Sequence, residues 1–581
     1  MKTPSIIFLL IILLYYTCFC QTHSWPPEPL TASTAFKNYK LLDSKIIPSS
    51  KRWNLVWADQ IVPGWVSQRQ FEFSANNYIG TQKIFTSQLK QFEVLNKNFL
   101  VLTYHLAAGL NPEKNDDCPN PKNLSGTGFI GVVAPKGYIS EYNEYFRPWC
   151  DSNKITENSI PFESMFQHYD DQKKANRVWH SDPAWLMNLS DTNWRAYIAI
   201  TCLDWMNGNR NQGVFFDVAV ETNCSLYNPK ATNPTPGNFD WWLSPHKPYA
   251  YSGELTTRLQ FTDFMNKSYR QYFQFIYKSF HTSSIDYLII PNVDQMITTV
   301  YDPLWLDGDS IGETIDGAMI ESFGRATGQD MYLTLERTIR HITGRGKILI
   351  AQSYPDQSTN RIRLIGMYML VKNENSYINL LSGSAPEWFP EYEIDLGNQT
   401  KLPVDLEVLR VKGTDWHSVW RRNYDNGMVL CNTSDQPIDY NPYGEYWRYI
   451  KTSGGGQIDS AGNMKPQKIE TITFAGKITI PPSDCIILIK DTTSSVNNNF
   501  NSDKPTIEAN PNPAIDFINM FCNNLNIHEL KLFDVYGNEI NLSNISDIQD
   551  VRNQLRINIS NLASGVYFIR YGTSVIRFLK I

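Results

Sequence analysis

The chain has 581 residues, of which 42% are hydrophobic and 13% aromatic, enough for a sizeable core, and its length predicts two or three folded units. The 52 basic and 58 acidic residues give a formal net charge of -6 and form no basic run, which argues against a nucleic-acid partner.

The first twenty residues, Met1 to Cys20, are typical of a secretory signal peptide. One lysine is followed by the apolar run IIFLLIILLYY, and small or weakly polar residues precede Gln21. The run is shorter than the roughly 20 residues that a membrane-spanning helix needs, and no later segment supplies one. We therefore expect a mature protein that lies outside the inner membrane and has no membrane span.

Eight short apolar segments, taken in chain order, predict β-strands that alternate with helices. They are Trp53–Asp59, Phe99–His105, Trp185–Asn188, Gly213–Glu221, Asp286–Asp294, Ile315–Phe323, Lys347–Ser353 and Ser376–Leu381. A long insert after the second strand contains many turn residues and is expected to shape a cleft. Alternating strands and helices predict a parallel (β/α)8 TIM barrel over residues 25–385.

Beyond Pro386 the pattern changes to short strands without helices, which predicts a β-sandwich over residues 386–490. Residues 491–506 contain the polar stretch DTTSSVNNNFNSDKP and predict a linker with nothing to bury. Residues 507–581 again alternate short strands and turns, so the fold class is α/β with a second, small β-sandwich at the C-terminus.

Three motifs mark this last unit: PNP at 511–513, LFDVYGNEI at 532–540 and LASGVYFIRY at 562–571. In this order they resemble the C-terminal sorting domain of proteins exported by the type IX secretion system. The resemblance implies a partner, the type IX secretion machinery, and a route through the periplasm. It also implies removal of the domain and a mature protein that is secreted or held at the cell surface.

Seven cysteines follow residue 20, and their wide spacing contains no CxxC zinc pattern. An odd number leaves at least one thiol free. In an oxidising compartment we expect a disulfide between Cys118 and Cys150, because both lie in the loop-rich insert. Cys431 with Cys485 is the second choice.

Several predicted strands end in an acidic or amide residue, which is where barrel enzymes hold their catalytic groups. Asp217, Asp294 and Glu321 are the catalytic candidates, and Asp59 and Gln352 end two further strands. Burying an ionised Asp within a strand costs several kcal/mol, so the strand end that faces a cavity is the expected position. The alternative is that such an Asp only caps the following turn.

The sequence contains neither HExxH nor GxSxG, and it has no P-loop and no dinucleotide-binding fingerprint. The residues that metalloprotease, serine-hydrolase and nucleotide-dependent mechanisms require are therefore missing. Nine histidines are scattered singly, and we expect no metal and no cofactor. Two carboxylates in one cleft are what glycoside hydrolysis needs. We expect Glu321 to act as the general acid and Asp217 as the nucleophile or base, with Asp294 as the replacement for either.

A cleft for a polysaccharide also needs aromatic faces for the sugar rings. Trp57, Trp179, Trp241 and Trp242 lie near predicted loops or strand ends, and His105 could line the same pocket. Taken alone, each of the tryptophans is more often a core residue, and a lone histidine is more often a hydrogen-bonded wall residue than a ligand. The sequence leaves open a second class of function, a secreted or surface protein that binds a glycan in this cleft without cleaving it.

The segments AWLMNLSDTNWRAYIA, GVFFDVAV, DGAMIES and WRRNYDNGMVLCNTS together resemble a family of glycoside-hydrolase-like (β/α)8 proteins. That family is distantly similar to the endo-α-1,4-polygalactosaminidases, and the resemblance covers residues 53–490. It implies a catalytic role for Asp217 in GVFFD and for Glu321 in DGAMIES. The chain departs from the usual GVFLDN form in having Val218 after the acid.

Overall fold

A computed structural model of the protein describes most of the chain beyond residue 55. The described residues are 56–61, 66–83, 86–96, 99–110, 141–168, 177, 184–209, 211–217, 219, 249–250, 253–254, 258–282, 286–293, 302–355, 360–383, 385–442, 447–474, 476–490, 508–510, 514–521, 530–535, 537–540, 548–551, 554–571 and 574–581. The predicted signal peptide and linker lie outside these ranges, as do Asp294, Trp179, Trp241, Trp242 and Cys118.

Eight parallel strands form the centre of the structure. They are β1 (Trp57–Gln60), β2 (Gly80–Lys83), β3 (Leu100–Leu106), β4 (Gly213–Asp217), β5 (Leu288–Pro291), β6 (Gly317–Ile320), β7 (Ile348–Ser353) and β8 (Ser376–Leu380). Strands β1 to β5 form one sheet and β6 to β8 another. Parallel bridges from Asn292 to Met319 and from Val56 to Ile378 join the two sheets at both edges, so the strands close into a ring.

The observed ring differs from the predicted set of strands in one member. Strand β2 lies between β1 and β3 and was not predicted. The predicted third strand at Trp185–Asn188 was wrong, because Trp185–Leu186 pairs antiparallel with Gly109–Leu110 outside the ring. The sequence of β2 is GTQK, in which Thr81 and Gln82 are buried although they are polar. A buried strand of this composition has no apolar run by which it could be recognised.

In the described part of the chain, six helices connect successive strands of the ring. They are α1 (Gln68–Asn77), α2 (Thr86–Leu95), α3 (Thr192–Asn209), α4 (Arg258–Phe280), α5 (Gly328–Arg337) and α6 (Arg361–Val371). Shorter helical turns lie at Tyr142–Phe146, Arg147–Ser152, Ile160–Glu163, Leu304–Leu306, Thr338–Ile342, Thr343–Arg345, Pro390–Glu393 and Leu406–Leu409. Asp191 caps α3 by accepting the N–H groups of Asn193 and Trp194.

Alternation along the strands divides their side chains between the inside of the ring and the surrounding helices. The inside is filled by Trp57, Ile79, Leu100, Leu102, Phe215, Leu288, Ile290, Met319, Ile348, Ile350 and Tyr377. The next inward position towards the carboxyl end is polar on most strands, as at Asp59, Asp217 and Gln352. The interior therefore changes from apolar to polar along the ring.

A six-stranded antiparallel sheet follows the ring and packs against α6. Its strands are β9 (Arg410–Thr414), β10 (His417–Tyr424), β11 (Gly427–Asn432), β12 (Trp447–Gly454), β13 (Gln467–Thr473) and β14 (Asp484–Lys490), in the spatial order β9-β10-β11-β14-β12-β13. Two short antiparallel pairs accompany it, Glu387–Trp388 with Gly456–Gln457 and Ile438–Tyr440 with Ile478–Ile480. One hydrophobic core includes side chains of this sheet and of the helices around the ring.

Arg422 on β10 connects this sheet to the end of α6. Its guanidinium is buried and donates to the carbonyl oxygens of Met369, at 3.1 Å, and of Lys372. It also donates to the carbonyl of Thr400 at 3.0 Å. The last carbonyls of a helix have no partner inside the helix, so Arg422 supplies the C-terminal cap of α6. The hydroxyl of Tyr424 donates to Met369 as well, at 2.6 Å.

The C-terminal unit consists of two four-stranded antiparallel sheets with a core of their own. Its strands are β15 (Glu508–Asn510), β16 (Phe517–Phe521), β17 (Leu530–Asp534), β18 (Glu539–Ile540), β19 (Ile548–Val551), β20 (Gln554–Asn558), β21 (Gly565–Tyr571) and β22 (Ser574–Lys580). The orders are β15-β16-β20-β19 and β18-β17-β21-β22. Ile518, Leu532, Leu555 and Ile569 belong to this separate core. Within the described ranges, no helix combines the length and apolar character needed to cross a membrane.

Candidate active site

Polar side chains from all eight strands meet at the carboxyl end of the ring. They form a group that we call the carboxyl-end cluster, consisting of Asp59, Gln82, Lys83, Tyr104, Asp217, Asn292, Glu321, Gln352, Tyr354 and Asn379. Parallel strands bring their carboxyl ends to the same side, so residues far apart in sequence become neighbours here.

Asp217 at the end of β4 and Glu321 directly after β6 are joined through Asn292. The Nδ2 atom of Asn292 donates to Oδ1 of Asp217 at 2.8 Å and to Oε2 of Glu321 at 2.7 Å. The two carboxylate oxygens therefore lie no more than about 5.5 Å apart, the combined length of the two bonds, which is within reach of one glycosidic bond.

Asp217 is surrounded by groups that stabilise a negative charge. The hydroxyl of Tyr104 donates to Oδ2 at 2.8 Å, while Asn292 donates to Oδ1. The ammonium of Lys83 lies 3.9 Å from Oδ2. Each oxygen of the Asp217 carboxyl group therefore accepts a hydrogen bond, and a cation lies beside one of them.

Lys83 lies between two carboxylates at the end of β2. Its Nζ atom is 3.3 Å from Oδ1 of Asp59 as well as 3.9 Å from Asp217, and it lies over the ring of Tyr104 at 5.4 Å from the ring centre. Burial acts to lower the pKa of Lys83. The charges of Asp59, Asp217 and Glu321 outweigh burial, so the pKa is raised above its usual range and the side chain is a cation.

Glu321 is also held by a chain of hydrogen bonds from the next two strands of the ring, β7 and β8. Asn379 donates to Oε1 of Gln352 at 2.9 Å, and Gln352 donates to the hydroxyl of Tyr354 at 2.7 Å. That hydroxyl donates in turn to Oε1 of Glu321. Burial and the negative charge of Glu321 raise the pKa of Tyr354 well above its usual range, so it remains a neutral donor.

The backbone takes an unusual turn directly after Glu321. Ser322 has a φ angle of 57°, in the left-handed region that costs a residue with a side chain about 1 kcal/mol or more. The N–H of Phe323 then donates to the carbonyl of Gln352 at 2.8 Å. This turn ties the end of β6 to β7 and holds the Glu321 side chain in the cluster.

The structure places four of the predicted site residues in this cluster, namely Asp59, Asp217, Glu321 and Gln352. Trp57 lies one inward position below Asp59, fully buried, and its indole N–H donates to Gln82. It supports the cluster from beneath and presents no open ring face. Of the other predicted residues, Asp294, Trp179, Trp241 and Trp242 lie outside the described part of the chain.

His105 lies apart from the cluster. Its ring nitrogens face Glu141, at 3.0 Å, and the carbonyl of Leu106, at 2.6 Å, and its ring stacks on Trp205 of α3. In the strand LVLTYHL the inward side chains are Leu100, Leu102 and Tyr104, and His105 has the opposite orientation. Alternation along this strand therefore places Tyr104, and not His105, on the inner side of the ring.

Sequence reasoning also missed Lys83, Asn292 and Tyr354. Alternation from Leu288 and Ile290 leads to Asn292, so that signal was present. Alternation from Ile350 and Gln352 leads in the same way to Tyr354. Lys83 had no comparable signal, because it is near other cluster members only after the ring closes. Within the described ranges, no three His, Cys, Asp or Glu residues are arranged to hold a metal ion.

Comparison with protein families identifies two segments. Residues 156–428 match a family described as hypothetical glycosyl hydrolase family 15, and residues 509–578 match the secretion system C-terminal sorting domain. The chain joins a glycosyl-hydrolase-like segment to a type IX sorting domain. It is therefore a secreted or cell-surface protein. The glycosyl-hydrolase-like segment contains Asp217, Asn292 and Glu321, whereas Asp59 and Lys83 precede it.

Solved structures with some similarity include an Anoxybacillus alpha-amylase, at 8% identity over 76% of this chain and 98% of that chain, with a TM-score of 0.32. A maltogenic alpha-amylase of Thermotoga neapolitana has 9% identity over 75% and 98% of the two chains, with a TM-score of 0.32. A xylosidase of Aspergillus niger has 8% identity over 78% and 67%, with a TM-score of 0.36. At these scores the similarity bears on neither fold nor activity. No curated protein matches the sequence.

Proposed function

We propose that the protein is a secreted glycoside hydrolase that cleaves a polysaccharide with the carboxylate pair Asp217 and Glu321. In this proposal the closed ring of strands is a (β/α)8 barrel and the carboxyl-end cluster is its active site. The observation that supports it most strongly is the pairing of both carboxylates through Asn292. The match of residues 156–428 to a glycosyl hydrolase family supports the same reaction class.

The short distance between the two carboxylates favours a retaining mechanism. Retaining enzymes hold their two carboxyl groups about 5 to 5.5 Å apart, whereas inverting enzymes need about 6.5 to 9.5 Å to admit a water molecule. The limit of about 5.5 Å applies to Oδ1 of Asp217 and Oε2 of Glu321, one oxygen of each carboxyl group, and is compatible with the first class. The sequence alone could not choose between the two outcomes.

In the first step Asp217 attacks the anomeric carbon while Glu321 gives its proton to the departing glycosidic oxygen. This forms a covalent glycosyl ester on Asp217 and breaks the glycosidic bond. In the second step the ionised Glu321 takes a proton from water, which attacks the same carbon and releases Asp217. Lys83 and Tyr104 beside Asp217 support the ionised nucleophile, which is why we assign the acid role to Glu321.

The remaining members of the cluster would position the sugar. Asp59 is a candidate acceptor for a sugar hydroxyl, and Gln352 holds the Tyr354 hydroxyl against Glu321. Trp179, Trp241 and Trp242 stay candidates for stacking against sugar rings, on the chemical ground that indole faces suit apolar sugar faces. His105 is not part of this proposal, because its partners are Glu141 and a backbone carbonyl.

The test is release of reducing ends from a panel of polysaccharides by the secreted protein. Asp217→Asn and Glu321→Gln should each lower kcat/KM by at least about 1,000-fold. Asp204→Asn, on helix α3, is the control and should leave activity unchanged. Proton NMR of the first product should show the anomer of the substrate, and azide added to Asp217→Ala should yield a glycosyl azide of inverted configuration.

Activity of either carboxylate variant within about tenfold of wild type would make the assignment wrong. Glycan binding by a wild-type protein that releases no reducing ends from the polysaccharide it binds would favour the non-catalytic binding protein.

A further inference from the structure

Lys83 brings a positive charge into a group of three carboxylates. Its side chain is 17% exposed, against 7% for Asp59 and 13% for Asp217. Asp217, Asp59 and Glu321 all raise its pKa against the effect of burial. Neighbouring carboxyl groups that are shielded from water repel one another when they are ionised, and a cation between them reduces that repulsion.

The distances from Lys83 to its two partners are unequal. Nζ lies 3.3 Å from Asp59 but 3.9 Å from Asp217, so the direct bond is to Asp59. Asp217 receives the field of the cation while its hydrogen bonds come from Tyr104 and Asn292. The closer contact therefore fixes Lys83 on Asp59, and its charge acts on Asp217 from a longer distance.

We propose that Lys83 is a positioning residue that keeps Asp217 ionised and oriented as the nucleophile. This inference rests on the proposed function, because it acts through Asp217. Asp59 has the complementary role of anchoring Lys83 by its closer contact. Lys83 also stabilises the negative charge that returns to Asp217 when the glycosyl ester is hydrolysed, so it favours the second step.

The first test compares the pH dependence of kcat/KM for wild type, Lys83→Met and Lys83→Arg on a substrate that the wild-type protein hydrolyses. Methionine keeps the length of the side chain and removes its charge, whereas arginine keeps the charge. In Lys83→Met the fall in activity towards acid pH should begin about one pH unit higher, because Asp217 loses the cation that favours its ionised form. In Lys83→Arg the fall in activity towards acid pH should begin at the same pH as in wild type.

Lys347 offers a matched control. It precedes β7 at the opposite end of the ring, its side chain is 11% exposed, and it pairs with Glu313 at 3.1 Å. Lys347→Met removes an equally shielded lysine and should leave the pH profile in place. A uniform loss of activity in Lys83→Met at every pH, without a displaced acid side, would reduce Lys83 to a structural role and overturn the proposal.

A second measurement does not depend on hydrolysis. Without Lys83 the carboxylates of Asp59, Asp217 and Glu321 repel one another when ionised, and protonation of one of them relieves the repulsion. Urea unfolding should therefore show a larger loss of stability in Lys83→Met at pH 8 than at pH 5, with no such difference in Lys347→Met. Equal losses at both pH values would overturn the charge role of Lys83. Absence of hydrolysis in wild type, with the expected unfolding result, would instead reject the glycosidase.

Discussion

Asp217 and Glu321 accept hydrogen bonds from the same nitrogen, Nδ2 of Asn292, at 2.8 and 2.7 Å. Neither carboxylate can shift without disturbing the other, because one rigid amide at the end of β5 sets both positions. The amide is neutral, so it joins the two carboxyl groups without adding a charge.

Replacing Asn292 by Ala should therefore lower kcat by about 100-fold, the usual cost of losing one aligned donor in an active site. KM should change less, because the amide orients catalytic groups. Kinetics on the substrate identified by the polysaccharide panel would measure this. Asn375→Ala is the control, since Asn375 donates to the carbonyl of Gly346 at the other end of the ring. Equal kinetics of both variants would contradict the bridging role.

His341 should contribute stability that depends on pH. Its ring nitrogens lie 2.9 Å from Asp307 and 2.7 Å from Asp302. Burial opposes protonation, but both carboxylates outweigh it and raise the pKa of His341. Burial also acts to raise the pKa of Asp302, and the bond to His341 and the charge of Arg340 outweigh it and lower that pKa.

A raised histidine pKa stabilises the fold below the unfolded value of about 6.5, and this contribution is lost as pH rises through the folded value. The lowered pKa of Asp302 stabilises the fold above about 3.9 and is lost on acidification. His341→Gln should thus cost about 2 kcal/mol at pH 5.5 and less at pH 9 in urea unfolding. A flat difference across this range would contradict the ion pair. His417→Gln, an exposed histidine, serves as control.

Arg422→Met should destabilise the protein by about 3 kcal/mol, because the carbonyls at the end of α6 lose a buried charged donor. Tyr424→Phe removes a single hydrogen bond to Met369 and should cost about 1 kcal/mol. Urea unfolding of wild type and both variants would measure the two losses of stability and show which is larger. If Arg422→Met matched Tyr424→Phe, the guanidinium would contribute no more than one bond.

The exported protein should carry a disulfide between Cys431 and Cys485. The two residues face each other directly across β11 and β14, both are buried, and their sulfur atoms lie 2.6 Å apart. Mass spectrometry of the unfolded, unreduced protein after alkylation should find both cysteines unlabelled and Cys202 labelled. Labelling of Cys431 and Cys485 would show that they remain thiols. The structure holds Cys431 and Cys485 as thiols, as it does Cys150 of the other predicted pair, whose partner Cys118 lies outside the described residues.

Deleting residues 507–581 should hold the protein in the periplasm without unfolding the ring. The sorting domain spans the match at 509–578 and has a hydrophobic core of its own. Cell fractionation would locate the truncated protein, and hydrolysis or thermal unfolding would show that the remainder is folded. Normal amounts of the truncated protein in the medium would show that export does not need this domain.

Seven of the eight ring strands could be recognised from sequence because they contain apolar runs, as in GVFFD at β4. Strand β2 could not, since its buried residues are Thr81 and Gln82, whose partners include Asp59. The segment WLMN is apolar, and for that reason it was wrongly predicted as a strand of the ring. Apolar composition indicates that Trp185–Leu186 is buried, but it does not indicate which strand Trp185–Leu186 pairs with.

The two carboxylates were recognisable because an acid after an apolar run is unusual. Asn292 and Tyr104 are neutral, so neither stands out by charge, and alternation along their strands is the signal that selects them. Lys83 acquires its role only when β2 lies beside β1, which brings its ammonium to Asp59. Contacts between strands, which no local pattern contains, determine this part of the cluster.

The cap that Arg422 provides for α6 decides how this protein can be divided or recombined. A fragment ending at residue 385 would lose the donors to the last carbonyls of α6. It would also uncover Gly366, whose backbone lies so close to Cys485 that a side chain there would collide with it. Proteolysis or domain shuffling within residues 386–490 should therefore produce insoluble fragments. A cut after Lys490 keeps the ring and its six-stranded sheet together in one fragment that should fold. We therefore expect the two to have been inherited as one unit.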